Sequence, residues 1–183
     1  AADGFARAHD ARTGKEVWSH RMVTGDAHRI ALNSGWDNAV AVGADTAVVA
    51  NVSNATALDT ATGTVRWTIP GSAMYAPALL IDATTILLTS EFGVMTRADL
   101  ATGEIGWTTQ LGVRVFNAGV AIDGGLAWVL SADGKLIGVR TADGQRQSWL
   151  QHTLAYTFSR PAIAGDTLVV GDQDGVVHGI RLS

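Results

Sequence analysis

The sequence predicts an all-β protein built from repeated four-stranded units. The motif DxxTGxxxW occurs without gaps at 8–18, 57–67 and 97–107, and a degenerate copy follows at 138–149. The motif glycines are 49, 40 and 41 residues apart, and the segments between them alternate as strands do, without a helical stripe. A four-stranded unit repeated at this spacing is typical of an antiparallel β-propeller blade. A β-sandwich lacks such a constant repeat, and a β-helix has a much shorter one.

Each complete unit is predicted to contain four short strands separated by tight turns. In the unit that ends near Trp107, the strands are expected at 76–82, 85–90, 93–99 and 104–110. Turn sequences such as TG, ADG and QDG separate them, as hairpins require. In the last strand, Ile105 and Trp107 alternate with polar residues, which predicts that they share one buried face.

The repeat predicts a partial blade at each end of the sequence. Residues 1–23 supply the last two strands of a blade, 36–70, 71–111 and 112–152 supply complete blades, and 153–183 supply three strands of another. The total is seventeen strands, and the third strand is present at both ends, so the partial blades do not complete one blade. We therefore expect a piece of a longer propeller, whose open sheets favour association with the missing half or with another copy.

Composition limits the function classes. The 183 residues include no cysteine and carry a formal net charge of −4. A disulfide framework, thiolate catalysis and cysteine-ligated metal sites are therefore excluded within this sequence. The negative charge argues against a nucleic-acid partner, because such binding depends on a basic surface. No apolar run approaches the roughly 18 residues that cross a bilayer, so no direct membrane span is predicted.

The motif residues are expected to hold the fold together. The glycines permit a positive φ, the Asp and Thr side chains can bond turn amides, and tryptophan supplies a large apolar contact between blades. This structural set comprises Asp10, Thr13, Gly14, Trp18, Asp59, Thr62, Gly63, Trp67, Asp99, Thr102, Gly103, Trp107, Gly144 and Trp149. Trp149 falls one residue late, so we expect a one-residue bulge that keeps its ring inward.

The extended pattern AxDxxTGxxxW resembles the tryptophan-docking repeat of the PQQ-like, or quinoprotein-type, β-propellers. That family includes pyrroloquinoline quinone (PQQ) dehydrogenases and a non-catalytic, BamB-like branch. The copies at 8–18 and 57–67 match in full, and the copy at 97–107 lacks only the alanine. The resemblance implies seven or eight blades, tryptophans that pack against a neighbouring blade, and a periplasmic, cell-surface or secreted location.

The resemblance favours a non-catalytic scaffold or binding module with protein partners. One alternative is part of a PQQ-dependent dehydrogenase, and only that alternative implies PQQ and calcium as cofactors. The other is the sensory propeller of a membrane-anchored kinase. The sequence lacks the adjacent-cysteine disulfide usual near the quinone and shows no catalytic motif outside the repeat. We therefore assign no catalytic, cofactor-binding or metal-binding residue.

One connection between repeats is longer than the others. The interval from Trp18 to Thr46 is 28 residues, whereas the corresponding interval in the other units is 18 residues. The extra residues fall within 24–36, on the propeller rim where binding loops are usually built. Its polar and aromatic residues form a candidate partner-contact loop: His28, Arg29, Asn33 and Trp36. A tolerated surface insertion is the alternative.

Other chemistry-bearing residues are predicted to have structural roles. The aromatics of Met74-Tyr75, Val115-Phe116 and Tyr156-Thr157-Phe158 are expected to pack between blades, and a site near the channel mouth is the alternative. The histidines lack metal-ligand spacing and are expected to be solvated or hydrogen-bonded. Asp172 and Asp174 are expected to form a turn, since a bare DxDG sequence lacks the ligands of a tight calcium site.

Overall fold

The computed structural model describes residues 4–22, 40–51, 53–71, 78–116 and 119–182. These residues form seventeen strands in five antiparallel sheets, which contain two, four, four, four and three strands in chain order. Within each sheet every strand pairs with the next one along the chain. The predicted all-β propeller class, with a partial sheet at each end, is confirmed.

We call the five sheets blades 1 to 5. Blade 1 contains β1 (Phe5–His9) and β2 (Glu16–Arg21). Blade 2 contains β3 (Ala41–Gly43), β4 (Thr46–Ala50), β5 (Asn54–Asp59) and β6 (Val65–Pro70). Blade 3 contains β7 (Leu79–Leu80), β8 (Thr85–Thr89), β9 (Val94–Asp99) and β10 (Ile105–Gln110). Blade 4 contains β11 (Val120–Asp123), β12 (Leu126–Leu130), β13 (Lys135–Arg140) and β14 (Arg146–Gln151). Blade 5 contains β15 (Ala162–Ala164), β16 (Thr167–Gly171) and β17 (Val177–Arg181).

The antiparallel order sorts the connections between two ends of the blades. The turns after the first and third strands lie at one end, which we call the turn end. The turns after the second strand lie at the other end, together with the linkers between blades. We call this second surface the linker face and define it by residues 90–93, 111–116, 131–134, 152–158 and 172–175.

The core lies between the blades. In β8, Ile86 and Leu88 pack in one hydrophobic cluster with residues of blade 2, whereas Leu87 packs in a second cluster with residues of blades 4 and 5. Successive side chains of a strand point to opposite faces of its sheet. Blade 3 is therefore buried on both faces, and the centre of β8, from Ile86 to Leu88, is apolar on both.

A tryptophan joins each of the first three blades to the next one. The indole N–H of Trp18 donates to the carbonyl of Thr60, 2.8 Å away, in the third-to-fourth-strand turn of blade 2. Trp67 donates in the same way to Leu100 of blade 3 at 2.9 Å. Trp107 donates to Thr141 of blade 4 at 3.0 Å.

The rings of these tryptophans cover the motif glycines of the receiving turns. A Cβ at Gly103 would lie 2.6 Å from Cγ of Trp67, and Gly63 and Gly144 are covered similarly by the preceding tryptophans. All three glycines also have a positive φ, between +71° and +75°. Glycine is therefore required twice, for backbone conformation and for space.

A β-bulge before each tryptophan changes the predicted burial. In blade 2, Leu58 pairs with Val65 and Ala57 pairs with Trp67, so the intervening residue is bulged. Neighbouring positions on β5 face opposite ways, and their partners Val65 and Trp67 therefore lie on opposite faces. The same shift in blade 3 leaves Ile105 exposed. The prediction that Ile105 shares the buried face of Trp107 is wrong for this reason.

Blade 4 has the same bulge and no second one. Gly138 pairs with Ser148, and the shift in register falls between Gly138 and Val139, as at the equivalent positions of blade 2. Ser148 therefore occupies the register position of the other tryptophans, and Trp149 lies one position further, opposite Ile137. The expected extra bulge that would compensate for the late Trp149 is not formed.

The two requirements on the motif glycines can be separated by substitution. Gly103→Ala should lower the free energy of unfolding by about 2–4 kcal/mol, because it adds a clash with the Trp67 ring to the cost of positive φ. Gly125→Ala is the matched control, since Gly125 has φ +82° and no described residue lies within 4 Å of the place that a Cβ would take there. Gly125→Ala should lower the free energy of unfolding by about 1 kcal/mol. Urea unfolding measures both variants, and equal losses of unfolding free energy would contradict the contact between Gly103 and the Trp67 ring.

Candidate functional site

The predicted Asp and Thr residues of the motif close the turns at the turn end. Oδ1 of Asp59 accepts hydrogen bonds from the amides of Ala61 and Thr62, both at 2.9 Å, and from the Thr62 hydroxyl at 3.0 Å. Asp10 with Thr13 and Asp99 with Thr102 repeat this arrangement.

Hydrogen bonds to these carboxylates lower their pKa values. The pKa of Asp59 falls to about 2, mainly because of the Arg66 guanidinium and then because of Thr62. In the degenerate fourth copy Arg140 replaces the aspartate and Asp143 replaces the threonine, and Nε of Arg140 donates to Asp143 at 2.8 Å. An ion pair therefore joins the two positions that an Asp–Thr hydrogen bond joins in the other copies.

The candidate partner-contact loop lies outside the described residues. His28, Arg29, Asn33 and Trp36 all fall within residues 23–39, and Met74-Tyr75 falls within another such segment, 72–77. Their proposed contacts stay predictions.

The linker face has a backbone fixed by hydrogen bonds between linkers and turns. Each of the two described linkers, 111–116 and 152–158, lies beside the second-to-third-strand turns of its own blade and of the next blade. The amide of Val115 donates to the carbonyl of Glu91, and the amide of Ala132 donates to that of Arg114. The amide of Thr157 donates to the carbonyl of Ala132, and the amide of Gln173 donates to that of Tyr156. The four distances are 2.8–3.1 Å. Because these bonds pass from blade to blade, the backbone of the two described linkers is tied into the scaffold.

The linker between blades 4 and 5 turns its aromatic side chains outward. Thr157 is fully buried, and its hydroxyl donates to the carbonyl of Ser131. Its neighbours Tyr156 and Phe158 are 65% and 39% exposed. The expected packing of the aromatics between blades is therefore wrong for Tyr156 and Phe158, because the anchored Thr157 directs its neighbours to solvent.

These side chains form an open pocket, which we call the aromatic pocket. The rings of Tyr156 and Phe158 are parallel at 6.3 Å, and Phe116 meets Phe158 edge-on at 6.0 Å. The pocket has a volume of about 590 Å³, within the usual range for ligand sites. Its remaining lining residues are Gly112, Val113, Arg114, Ala132, Asp133 and Lys135.

Arg114 places a positive charge at the edge of the aromatic pocket. Its guanidinium carbon lies 4.9 Å from the centroid of the Phe116 ring, and its Nη2 pairs with Glu91. The Glu91 side chain is only 9% exposed, whereas the Arg114 side chain is 61% exposed. Solvent therefore meets the cation, and the carboxylate lies beneath it. Lys135 and Asp133 form a second pair at 2.7 Å.

Two histidines meet near the start of the same linker. The rings of His152 and His178 lie edge to face at 5.2 Å. Oδ2 of Asp172 accepts hydrogen bonds from Nε2 of His178 at 2.8 Å and from the Thr153 hydroxyl at 2.9 Å. The sequence offered no signal for this cluster, because His152 and Thr153 come from the linker and Asp172 and His178 come from blade 5, about twenty residues further along the chain. Among the described residues, no group of three or more His, Asp or Glu side chains can hold a metal ion.

The cluster shifts the pKa values of two groups. The His178 hydrogen bond is the main cause that lowers the pKa of Asp172 to about 2. Burial lowers the pKa of His152. Asp172 also accepts hydrogen bonds from the amides of Asp174 and Val176, which fits the predicted turn-forming role. Through Thr153, it also ties blade 5 to the linker that carries Tyr156.

Comparison of the sequence with known families identifies the repeat. The family described as outer membrane protein assembly factor BamB matches residues 2–82 and 76–183. The chain belongs to that family. The predicted relationship to the BamB-like, PQQ-like propeller repeats is confirmed.

Individual BamB proteins are distant from this chain. The outer membrane protein assembly factor BamB of Marinobacter adhaerens (strain DSM 23420 / HP15) is 29% identical over 102 residues, which cover 55% of this chain and 25% of that protein. The crystal structure of BamB from Moraxella catarrhalis matches with a TM-score of 0.78 and 20% identity, over 98% of this chain and 52% of that one. The chain thus spans a quarter of the first relative and about half of the second.

Designed proteins share the fold as well. The computationally designed Ika8 protein matches with a TM-score of 0.76 and 16% identity, over 99% of this chain and 54% of that one. The designed Ika4 protein matches with a TM-score of 0.70 and 15% identity, over 80% of this chain and 91% of that one.

No helix in the described part of the chain is long and apolar enough to span a membrane.

Acid should weaken the contact between Asp172 and the linker. Because its pKa is lowered on folding, Asp172 stabilises the fold fully above about pH 4, and this stabilisation is lost as the pH falls through about 2. Asp172→Asn should therefore lower the urea midpoint at pH 7 and flatten its decline between pH 4 and pH 2. Asp174→Asn, at an exposed position of the same turn, is the control and should keep the wild-type decline. If the urea midpoints of the wild type and both variants declined in parallel between pH 4 and pH 2, the assignment of this pH dependence to Asp172 would be contradicted.

Proposed function

We propose that this chain is part of a non-catalytic, BamB-like β-propeller that binds protein partners through its linker face. The observation that carries the proposal is the aromatic pocket, where Tyr156 and Phe158 are exposed on a backbone fixed by hydrogen bonds. Exposed aromatic side chains and arginine are enriched in protein interfaces and dominate their binding energy. A rigid scaffold lowers the entropic cost of binding, because these linkers are already ordered.

The turn residues and tryptophans of the repeat hold this scaffold together in our proposal. The three indole hydrogen bonds between blades and the Asp–Thr bonds within the turns support this role. None of these residues lines the aromatic pocket. In this proposal the motif residues at the turn end stabilise the fold, and the residues of the linker face bind the partner.

The name of one relative supports a location outside the cytoplasm. BamB of Marinobacter adhaerens is named as an outer membrane protein assembly factor. We propose a similar extracytoplasmic location and a protein-assembly or protein-binding role for this chain. The connection at 24–36 belongs, by its place in the repeat, to the same class as the linkers, so we propose that His28, Arg29, Asn33 and Trp36 extend the partner surface.

Site-specific crosslinking in the native cells tests the proposed face. A photoreactive amino acid at position 156 or 158 should crosslink the protein to a defined protein partner. The matched control position is Ala83, an exposed residue in a first-to-second-strand turn at the turn end. Equal crosslinking from position 83, or none from positions 156 and 158, would contradict binding through the linker face.

Substitutions provide an independent readout of the same proposal. The double variant Tyr156→Ala/Phe158→Ala should lower recovery of the crosslinked partner on affinity isolation by at least about tenfold, the effect expected for losing interface aromatics. Ile105→Ala removes an exposed apolar side chain near the turn end and should leave recovery unchanged. Loss of partner in the Ile105 variant would point to a general effect on stability.

A further inference from the structure

We propose that the aromatic pocket binds an extended partner segment that carries an aromatic side chain next to a carboxylate. This inference rests on the proposed partner-binding role of the linker face and names the chemistry of the segment. The aromatic rings would receive the apolar side chain, and Arg114 would receive the acidic group.

The geometry of the rings favours an aromatic occupant. Aromatic pairs are favourable with ring centroids at about 4.5–7 Å, either offset or edge to face. The pocket already contains one pair of each kind, Tyr156 with Phe158 and Phe116 with Phe158. A further ring can join this cluster because Tyr156 remains 65% exposed. No described residue lies within 4 Å of the position that a Cβ would take at Gly112, which leaves that wall open.

The charge at the pocket edge favours an acidic neighbour. Arg114 is exposed above the largely buried Glu91, so an incoming segment meets the guanidinium first. A guanidinium has five N–H donors and binds carboxylates in a bidentate manner. The guanidinium carbon lies 4.9 Å from the centroid of the Phe116 ring, so these donors lie beside the aromatic rings. One edge of the pocket is therefore suited to a carboxylate.

Apolar exposure beyond the pocket favours a peptide segment over a small ligand. Leu154 and Phe92 are strongly exposed on the same face, Leu154 in the linker of Tyr156 and Phe92 in the turn of Glu91. An extended chain advances about 3.3 Å per residue, so a few residues can cover the pocket and its apolar surroundings. A single-stranded nucleic acid can also stack on aromatic side chains, but its row of phosphates needs several cations. The described lining of the pocket offers only Arg114 and Lys135, and both are paired with carboxylates.

Binding of short fluorescein-labelled peptides tests this chemistry. The probe has one phenylalanine flanked by aspartates, and the control peptides replace the phenylalanine by alanine or the aspartates by lysines. Fluorescence anisotropy with the whole chain should show that each control binds at least about tenfold more weakly than the probe. Equal binding of either control would overturn the proposal. So would tighter binding of a labelled oligothymidylate.

Protein variants assign the effect to the pocket. Phe158→Ala and Arg114→Gln should each weaken probe binding by about three- to tenfold, and Arg114→Lys should restore part of the loss because it retains the charge. Ile105→Ala and Arg12→Gln are exposed controls near the turn end and should bind the probe normally. Circular dichroism confirms that each variant is folded. Unchanged binding in both pocket variants would overturn the assignment of the site.

The two proposals fail in distinguishable ways. If crosslinks form at position 156 but the peptides do not discriminate, the linker face binds a partner of other chemistry. If the peptides discriminate but no protein is crosslinked in cells, the pocket has the inferred chemistry without the proposed partner role.

Discussion

The contact between a tryptophan ring and the glycine of the next blade is the interaction on which the rest of the structure depends. Each ring lies where a Cβ would be, and its N–H reaches a turn carbonyl, at 2.8–3.0 Å in all three junctions. This one contact combines a large apolar area with a hydrogen bond of fixed direction. It therefore sets the distance and the orientation of neighbouring blades, so that both faces of a sheet such as blade 3 are buried.

The linker face is a consequence of that spacing. Once neighbouring blades are fixed, each of the two described linkers lies within hydrogen-bonding distance of the turns on both sides of it. Buried Val115 and Thr157 anchor these linkers, and their neighbours Arg114, Tyr156 and Phe158 are exposed. Exposed aromatic side chains are normally unfavourable on a free surface. Here the linker that carries Tyr156 and Phe158 is held by backbone hydrogen bonds, which keep these rings exposed.

The sequence predicted what depends on local chemistry. The glycine, aspartate and tryptophan positions each meet a local requirement, so their spacing predicted the propeller and its seventeen strands. It did not predict the exposure of Ile105, because a bulge is defined by pairing across strands. It also did not predict the meeting of His152 with His178 or the exposure of Tyr156, because both depend on how blades 4 and 5 pack.

The fourth repeat departs from the motif beside the aromatic pocket. Ser148 occupies the register position of the docking tryptophans, and Arg140 replaces the turn aspartate. The described contacts between blades 4 and 5 include the polar bonds from Thr153 to Asp172 and from Gln173 to Tyr156. The first of these bonds responds to pH through Asp172, whose pKa is lowered on folding. Of the described contacts that hold the linker of Tyr156, the bond from Thr153 to Asp172 is therefore one that acid would weaken. The indole hydrogen bonds between blades 1 to 4 end on backbone carbonyls and do not titrate.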